Sequence, residues 1–241
     1  MSYGMARKPR IQTPGLVRHV MARGNGRMSI FLDDRDYRQL EFLLGEVVAE
    51  YDVECWGFCG MGNHYHAILR PTRPNISAAM RRLNGEYAQW WNRRHSRVGH
   101  VFQGRFKDQI VSREQYLMAL IRYVARNPLR AGLVSDLGNW RCGSYRAIAG
   151  LEDAPAFLSV DTILAQFGVA DTRTLQERFT AFVLGDDHNS ALEDRIRSND
   201  RILGDRAFKQ SVICPAAVSG DMAPTDFSGL SERREADELG G

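Results

Sequence analysis

Apolar positions change their period several times along the chain, and each change predicts an element. Leu16 to Ala22 (LVRHVMA) reads as a strand ending at the turn Arg23-Gly24-Asn25-Gly26. Asp33 or Asp34 can then cap a helix carrying Leu40, Leu43, Leu44, Val47 and Val48 at helical spacing. Val53 to Cys59 predicts a second strand. Gly60-Met61-Gly62-Asn63 turns it into a third, His64 to Leu69, which Pro71 and Pro74 stop. Ile76 to Arg94 predicts a helix with Ile76, Met80, Leu83, Tyr87, Trp90 and Trp91 along one side, and Val101 to Val111 is extended in part. Ser112-Arg113-Glu114-Gln115 has capping-box form and opens a helix with Leu117, Leu120, Ile121 and Val124 on one face. That helix is expected to end near Asn127, because a residue before proline, here Pro128, avoids the helical region.

The hairpin between the second and third strands makes at least part of the sheet antiparallel. The fold class expected is therefore α+β, a sandwich of helices packed on a sheet, plus a smaller helical C-terminal extension. The chain has 241 residues, enough to bury a substantial core. Residues 1–150 are expected to form the main domain and 151–212 the helical extension. Residues 213–241, rich in Gly, Ser, Asp and Glu, read as a disordered tail.

Composition narrows the class. No apolar run approaches the roughly 20 residues that span a bilayer, and the basic N-terminus lacks the apolar stretch of a secretory signal. Cys55, Cys59, Cys142 and Cys214 are too few and scattered for a disulfide framework, which fits a reducing cytoplasm. The net charge of +3 hides a split. Residues 1–150 carry 23 Lys+Arg against 12 Asp+Glu, whereas residues 151–241 carry 9 against 17. The first part suits a polyanion.

The stretch Gly62-Asn63-His64-Tyr65-His66-Ala67-Ile68-Leu69 places two of the six histidines one residue apart. On a strand His64 and His66 share a face about 7 Å apart, so they are either a cation pair or two satisfied core residues. On the capped helix, Tyr123 and Asn127 are neighbours on one flank, with Tyr116 seven residues earlier. Locally these also fit a boundary tyrosine and a helix-end asparagine. Residues 76–107 hold seven Arg+Lys and one acid, Glu86. Arg93, Arg94 and Arg105 are candidate phosphate contacts, with Tyr87, Trp90 and Trp91 as possible stacking or core residues. Arg7, Lys8 and Arg10 could also reach such a polyanion.

Several motifs in order carry a resemblance: PGLVRHVMARGNGR, GNHYHAIL, NRRHSRVGHVFQGRFK, YLMALIRYVARNPLRAGLV and NWRCGSYRAIAG. The sequence resembles the REP-associated tyrosine transposases, within the HUH single-tyrosine transposase superfamily, from about Ile11 to Gly150 and more weakly to about Val212. Gly62 stands where a proline is common, and Ala125-Arg126 replaces a more usual His-Leu. The resemblance implies a ferredoxin-like antiparallel sheet with helices packed on it, and that His64 and His66 bind a divalent metal ion, Mg²⁺ or Mn²⁺, with Asn127 as third ligand. It makes Tyr123 the nucleophile that attaches to the 5′ side of a DNA break.

That chemistry has a physical logic. A tyrosine with pKa near 10 costs about 4 kcal/mol to ionise at pH 7, at roughly 1.36 per pKa unit. A cation held by neutral imidazoles and an amide keeps its charge for the scissile phosphate. A phosphotyrosine conserves bond energy, so a DNA 3′-hydroxyl could reverse the step. The reading is thus a DNA transposase acting on single-stranded or hairpin DNA, as monomer or homodimer. The alternatives are a non-transposing DNA hairpin-binding protein and a metal-dependent hydrolase that uses water.

Overall fold

The computed structural model describes residues 10–185, 190–198 and 200–214. Arg7, Lys8 and the tail from Pro215 lie outside them. The chain runs β1 (Val17–Arg23), α1 (Asp34–Tyr51), β2 (Val53–Met61), β3 (His64–Pro71), α2 (Ile76–Arg94), β4 (Lys107–Val111) and α3 (Arg113–Arg130). The strands lie in the order β2-β3-β1-β4, with each neighbouring pair antiparallel. That order and connectivity are the split βαβ, ferredoxin-like arrangement. The α+β expectation holds.

Nearly every position of β3 is buried, because helices cover both faces of the sheet. Tyr65 faces α2, its hydroxyl donating to Asn84 Oδ1 at 2.8 Å. His66, on the opposite face, meets the ring of Tyr123 on α3 at 5.7 Å. Asp33 caps α1 as expected, its side chain accepting from the Arg35 N–H at 2.9 Å.

Three local expectations need correction. The turn between β2 and β3 is Gly62–Asn63 alone, since Met61 already pairs with His64. Ser112 begins α3 but makes no side-chain cap; its hydroxyl donates to Glu114 Oε2 at 3.0 Å. Gln115 is drawn away to Asp205 Oδ2 at 3.2 Å, so tertiary contact replaces the capping box. Finally, α3 continues through Pro128 to Arg130. Proline leaves the Val124 carbonyl without its usual N–H donor. Asn127 Nδ2 compensates, donating to the Tyr123 carbonyl at 2.9 Å and lying 3.5 Å from that of Val124. Gly132, at φ 66°, then ends the helix by giving its N–H to the Leu129 carbonyl at 3.0 Å.

After α4 (Tyr145–Ile148) and α5 (Val160–Leu164) come α6 (Thr172–Leu184), α7 (Ser190–Arg197), β5 (Ile202–Leu203) and α8 (Arg206–Ile213). The later segment is helical, as expected, except for β5, which the pattern does not reveal. It joins the sheet edge parallel to β4, pairing Ile110 with Ile202 and Val111 with Leu203. Phe179, Val183, Ile196 and Leu203 belong to the same buried core as the sheet. The later helices α6 and α7 pack on α3.

Candidate nuclease site

Strand register assembles one polar face of the sheet. On β1, His19, Met21 and Arg23 point the same way by alternation. Arg23 lies opposite His64 and Met21 opposite His66 on β3, while Gln109 of β4 lies opposite His19 and Lys107 opposite Met21. Helix α3 lays Tyr123 over this patch, edge-on to His66 and to His19 at 5.8 Å. A cavity of about 700 Å³ opens there. His19, His64, His66 and Tyr123 line it, and Arg10, Arg23, Arg105, Lys107, Arg197 and Arg201 add positive charge.

The imidazole rings of His64 and His66 are 5.0 Å apart between centroids. Each Nδ1 has a partner: Asn63 Oδ1 at 2.7 Å for His64, and His19 Nε2 at 2.8 Å for His66. His19 Nδ1 in turn lies 2.9 Å from Gln109 Oε1. His66 Nε2 is buried and has no partner. Burial, with Arg23 nearby, pushes His64 down to about 4, and burial also takes His19 to about 4. His66 is driven well below the ordinary histidine value by burial and by the neighbouring His19, His64 and Arg23. All three rings are therefore neutral at pH 7, the form that ligates a cation.

Burial raises the Tyr123 pKa, and Arg130, Arg197 and Arg23 oppose that rise. The Arg130 guanidinium sits 4.9 Å from the centre of the Tyr123 ring, and it reaches Glu193 of α7 at 3.2 Å. Tyr116 is buried and does not line the cavity. Of the two tyrosines on that flank, Tyr123 is the one beside the histidines.

The structure thus brings His64, His66, Tyr123 and Arg105 to one cavity. Asn127 sits a turn beyond Tyr123, buried and outside the lining, with its amide nitrogen on the Tyr123 carbonyl. Arg93 is exposed at the end of α2 and does not line the cavity. Arg94 is engaged by Asp33 at 2.6 Å and Asp36 at 2.5 Å. Tyr87 and Trp91 are core residues, with the Tyr87 hydroxyl on the Ile30 carbonyl, while Trp90 is half-buried. His19, Gln109 and Arg23 were not singled out by sequence reasoning. For His19 and Arg23 the signal was two polar residues on one face of β1, and Gln109 is brought beside them only by strand register.

Two imidazoles with held δ nitrogens, one bearing an orphaned ε nitrogen, are a donor set that fits a divalent cation. Among the described residues no three His, Cys, Asp or Glu side chains group to hold a metal ion by themselves. A cation held there would need a further ligand from an amide, water or substrate oxygen.

Residues 13–127 match the family described as transposase IS200 like. This stretch is an IS200-like transposase domain. It spans the histidine pair, Tyr123 and Asn127. The chain is also similar to a solved structure of a REP-associated tyrosine transposase bound to a REP hairpin. That likeness has a TM-score of 0.53 at 16% identity and covers 64% of this chain and 92% of the other. At that identity it speaks for the fold. Among curated proteins none matches the chain. The resemblance read from the motifs is borne out. No helix among the described residues is long and apolar enough to cross a membrane.

Proposed function

We propose that the IS200-like domain cleaves and rejoins single-stranded or hairpin DNA through Tyr123, with a covalent 5′-phosphotyrosine intermediate. The observation that carries this reading is the meeting of Tyr123 with His64 and His66 in a cavity rimmed by arginines. The similar structure holds a REP hairpin, which supports a DNA partner of that shape.

His64 and His66 would hold Mg²⁺ or Mn²⁺, with Asn127 as third ligand by resemblance to the family. When bound, the cation supplies positive charge to the scissile phosphate. This chain's own residues do the rest. Arg23, Arg105 and Arg197 bind and orient the phosphodiester among them. Tyr123 Oη attacks the phosphorus, a P–O bond to tyrosine forms, and the bond to the 3′-oxygen breaks. The phenolic proton is given up and the departing oxygen ends as a 3′-hydroxyl, so the step is proton-neutral. Because a phosphodiester is exchanged for a phosphodiester, attack by a 3′-hydroxyl returns the DNA without ATP. Arg130 over the ring and the arginines around it offset part of the ionisation cost that burial raises.

A labelled hairpin oligonucleotide run on a denaturing gel with the protein tests this. The wild type is expected to give a covalent adduct. Tyr123→Phe should abolish it, a loss of at least about 10³-fold, typical of removing a nucleophile, with DNA affinity kept. Chelator should act like His64→Ala combined with His66→Ala, and Mn²⁺ should restore the wild type alone. Cleavage without any adduct would favour water as nucleophile. Hairpin binding with neither would make the chain a DNA-binding protein only.

A further inference from the structure

His19 and Gln109 have no chemical task in the reading above, yet both are buried and joined to His66 by hydrogen bonds. Gln109 Nε2 donates to the carbonyls of Ser198 at 3.1 Å and Asp200 at 3.0 Å. Carbonyls only accept, so the amide can point one way, and its Oε1 is the atom facing His19 Nδ1 at 2.9 Å. An amide oxygen also only accepts, so His19 Nδ1 bears the hydrogen. Both rings are buried, His19 at 5% and His66 at 2% exposure, which favours their neutral forms. A neutral His19 then has its lone pair on Nε2. That atom lies 2.8 Å from His66 Nδ1, which must donate. His66 Nε2 is left as a bare lone pair, the buried atom that has no partner.

We infer that His19 and Gln109 are positioning residues: through two hydrogen bonds they lock His66 in the tautomer that leaves Nε2 free to accept a cation. The inference rests on the proposed role of His66, since a ligating nitrogen must carry no proton. Unrestrained imidazole samples both tautomers and rotates; held imidazole does neither. The chain of bonds ends outside the β2–β3 hairpin, at the carbonyls of Ser198 and Asp200 between α7 and β5. Pairing of Ile202 and Leu203 with β4 seats that segment beside Gln109. The C-terminal strand thereby helps to set the proton position on a histidine of β3.

The full chain, metal-free and labelled with ¹⁵N at histidine, allows a direct test by long-range ¹H–¹⁵N correlation near neutral pH. His19 and His66 are both expected with the hydrogen on Nδ1. Gln109→Leu removes the acceptor and should give His66 a mixture of tautomers. It should also weaken Mn²⁺ binding, followed by electron paramagnetic resonance, about 10–100-fold. Wild-type His66 protonated on Nε2 would overturn the inference, even if Gln109→Leu fails to fold. So would a folded Gln109→Leu with unchanged tautomer and Mn²⁺ affinity. The expected tautomers in a protein that binds no Mn²⁺ would support the lock and count against the cation site instead.

Discussion

Asp36 is buried and receives three donors: the Leu32 N–H at 2.7 Å, Arg94 at 2.5 Å and His95 Nε2 at 2.9 Å. Arg94 also bonds Asp33, which caps the same helix. A buried carboxylate that loses its cation is left uncompensated, so Arg94→Ala should lower the melting temperature clearly while Arg93→Ala leaves it within a degree or so. DNA affinity should respond little to Arg94→Ala at temperatures where the variant is folded. The Arg94 hydrogen bond holds Asp33 down at about 2. A carboxylate whose pKa falls on folding stabilises the native state above its unfolded pKa, near 4, and loses that contribution as pH drops toward 2. The urea midpoints of wild type and Asp33→Asn should therefore differ at pH 6 and converge between pH 4 and pH 2. A gap that stays constant over that range would remove Asp33 from the account. From sequence, Arg94 is one of a basic run. Nothing in the spacing of residues 76–107 says that an acidic pair at the start of α1 has claimed it.

Helix α3 carries the finest balance between scaffold and chemistry. Asn127 supplies donors to the Tyr123 and Val124 carbonyls just where Pro128 withholds one. Asn127→Ala would leave the Val124 carbonyl without a donor, a cost of roughly 1–3 kcal/mol. If that is the whole of its role, the melting temperature falls and the Mn²⁺ dependence of cleavage is unchanged. If Asn127 also ligates, excess Mn²⁺ should partly rescue Asn127→Ala. Asn127→Asp should then bind the cation at least as well yet cleave more slowly, because added negative charge weakens the pull on the phosphate. Titrating cleavage against Mn²⁺ for both variants, beside their melting curves, separates the two. Element existence was legible here because apolar patterning records what is buried: α1, α2 and strands β1 to β3 follow it, whereas β4 was read only as a part-extended stretch within Val101 to Val111. The end of α3 was not. The rule for residues before proline is local, and it yields where a side chain from the same turn satisfies the freed carbonyl. The capping box failed for a related reason, since Asp205, ninety residues away, competes for Gln115. The two-residue strand β5 is too short to impose any period.

The assembled molecule turns a charge imbalance into a located surface. Sequence alone gives a basic first part and an acidic second part. The fold places Arg10, Arg23, Arg105, Lys107, Arg197 and Arg201 around one cavity, and two of these come from the acidic part. His64, His66 and Tyr123 were readable because their motifs are contiguous or a helical turn apart. His19, Gln109 and Arg197 were not, because only strand register and the return of α7 over α3 bring them there. This geometry makes a specific prediction for binding. DNA released from phosphate contacts recovers counterions, so log affinity falls with log salt by roughly 0.7 per contact on single strands. Arg105→Ala and Arg197→Ala should each reduce the magnitude of that slope by about 0.7, and together by about twice as much. Arg93, exposed but away from the cavity, should leave the slope where it was. Fluorescence anisotropy with a labelled hairpin from 50 to 300 mM salt, on Tyr123→Phe to prevent turnover, measures this at equilibrium. If Arg93→Ala flattens the slope and Arg105→Ala does not, DNA follows the end of α2 rather than the cavity mouth.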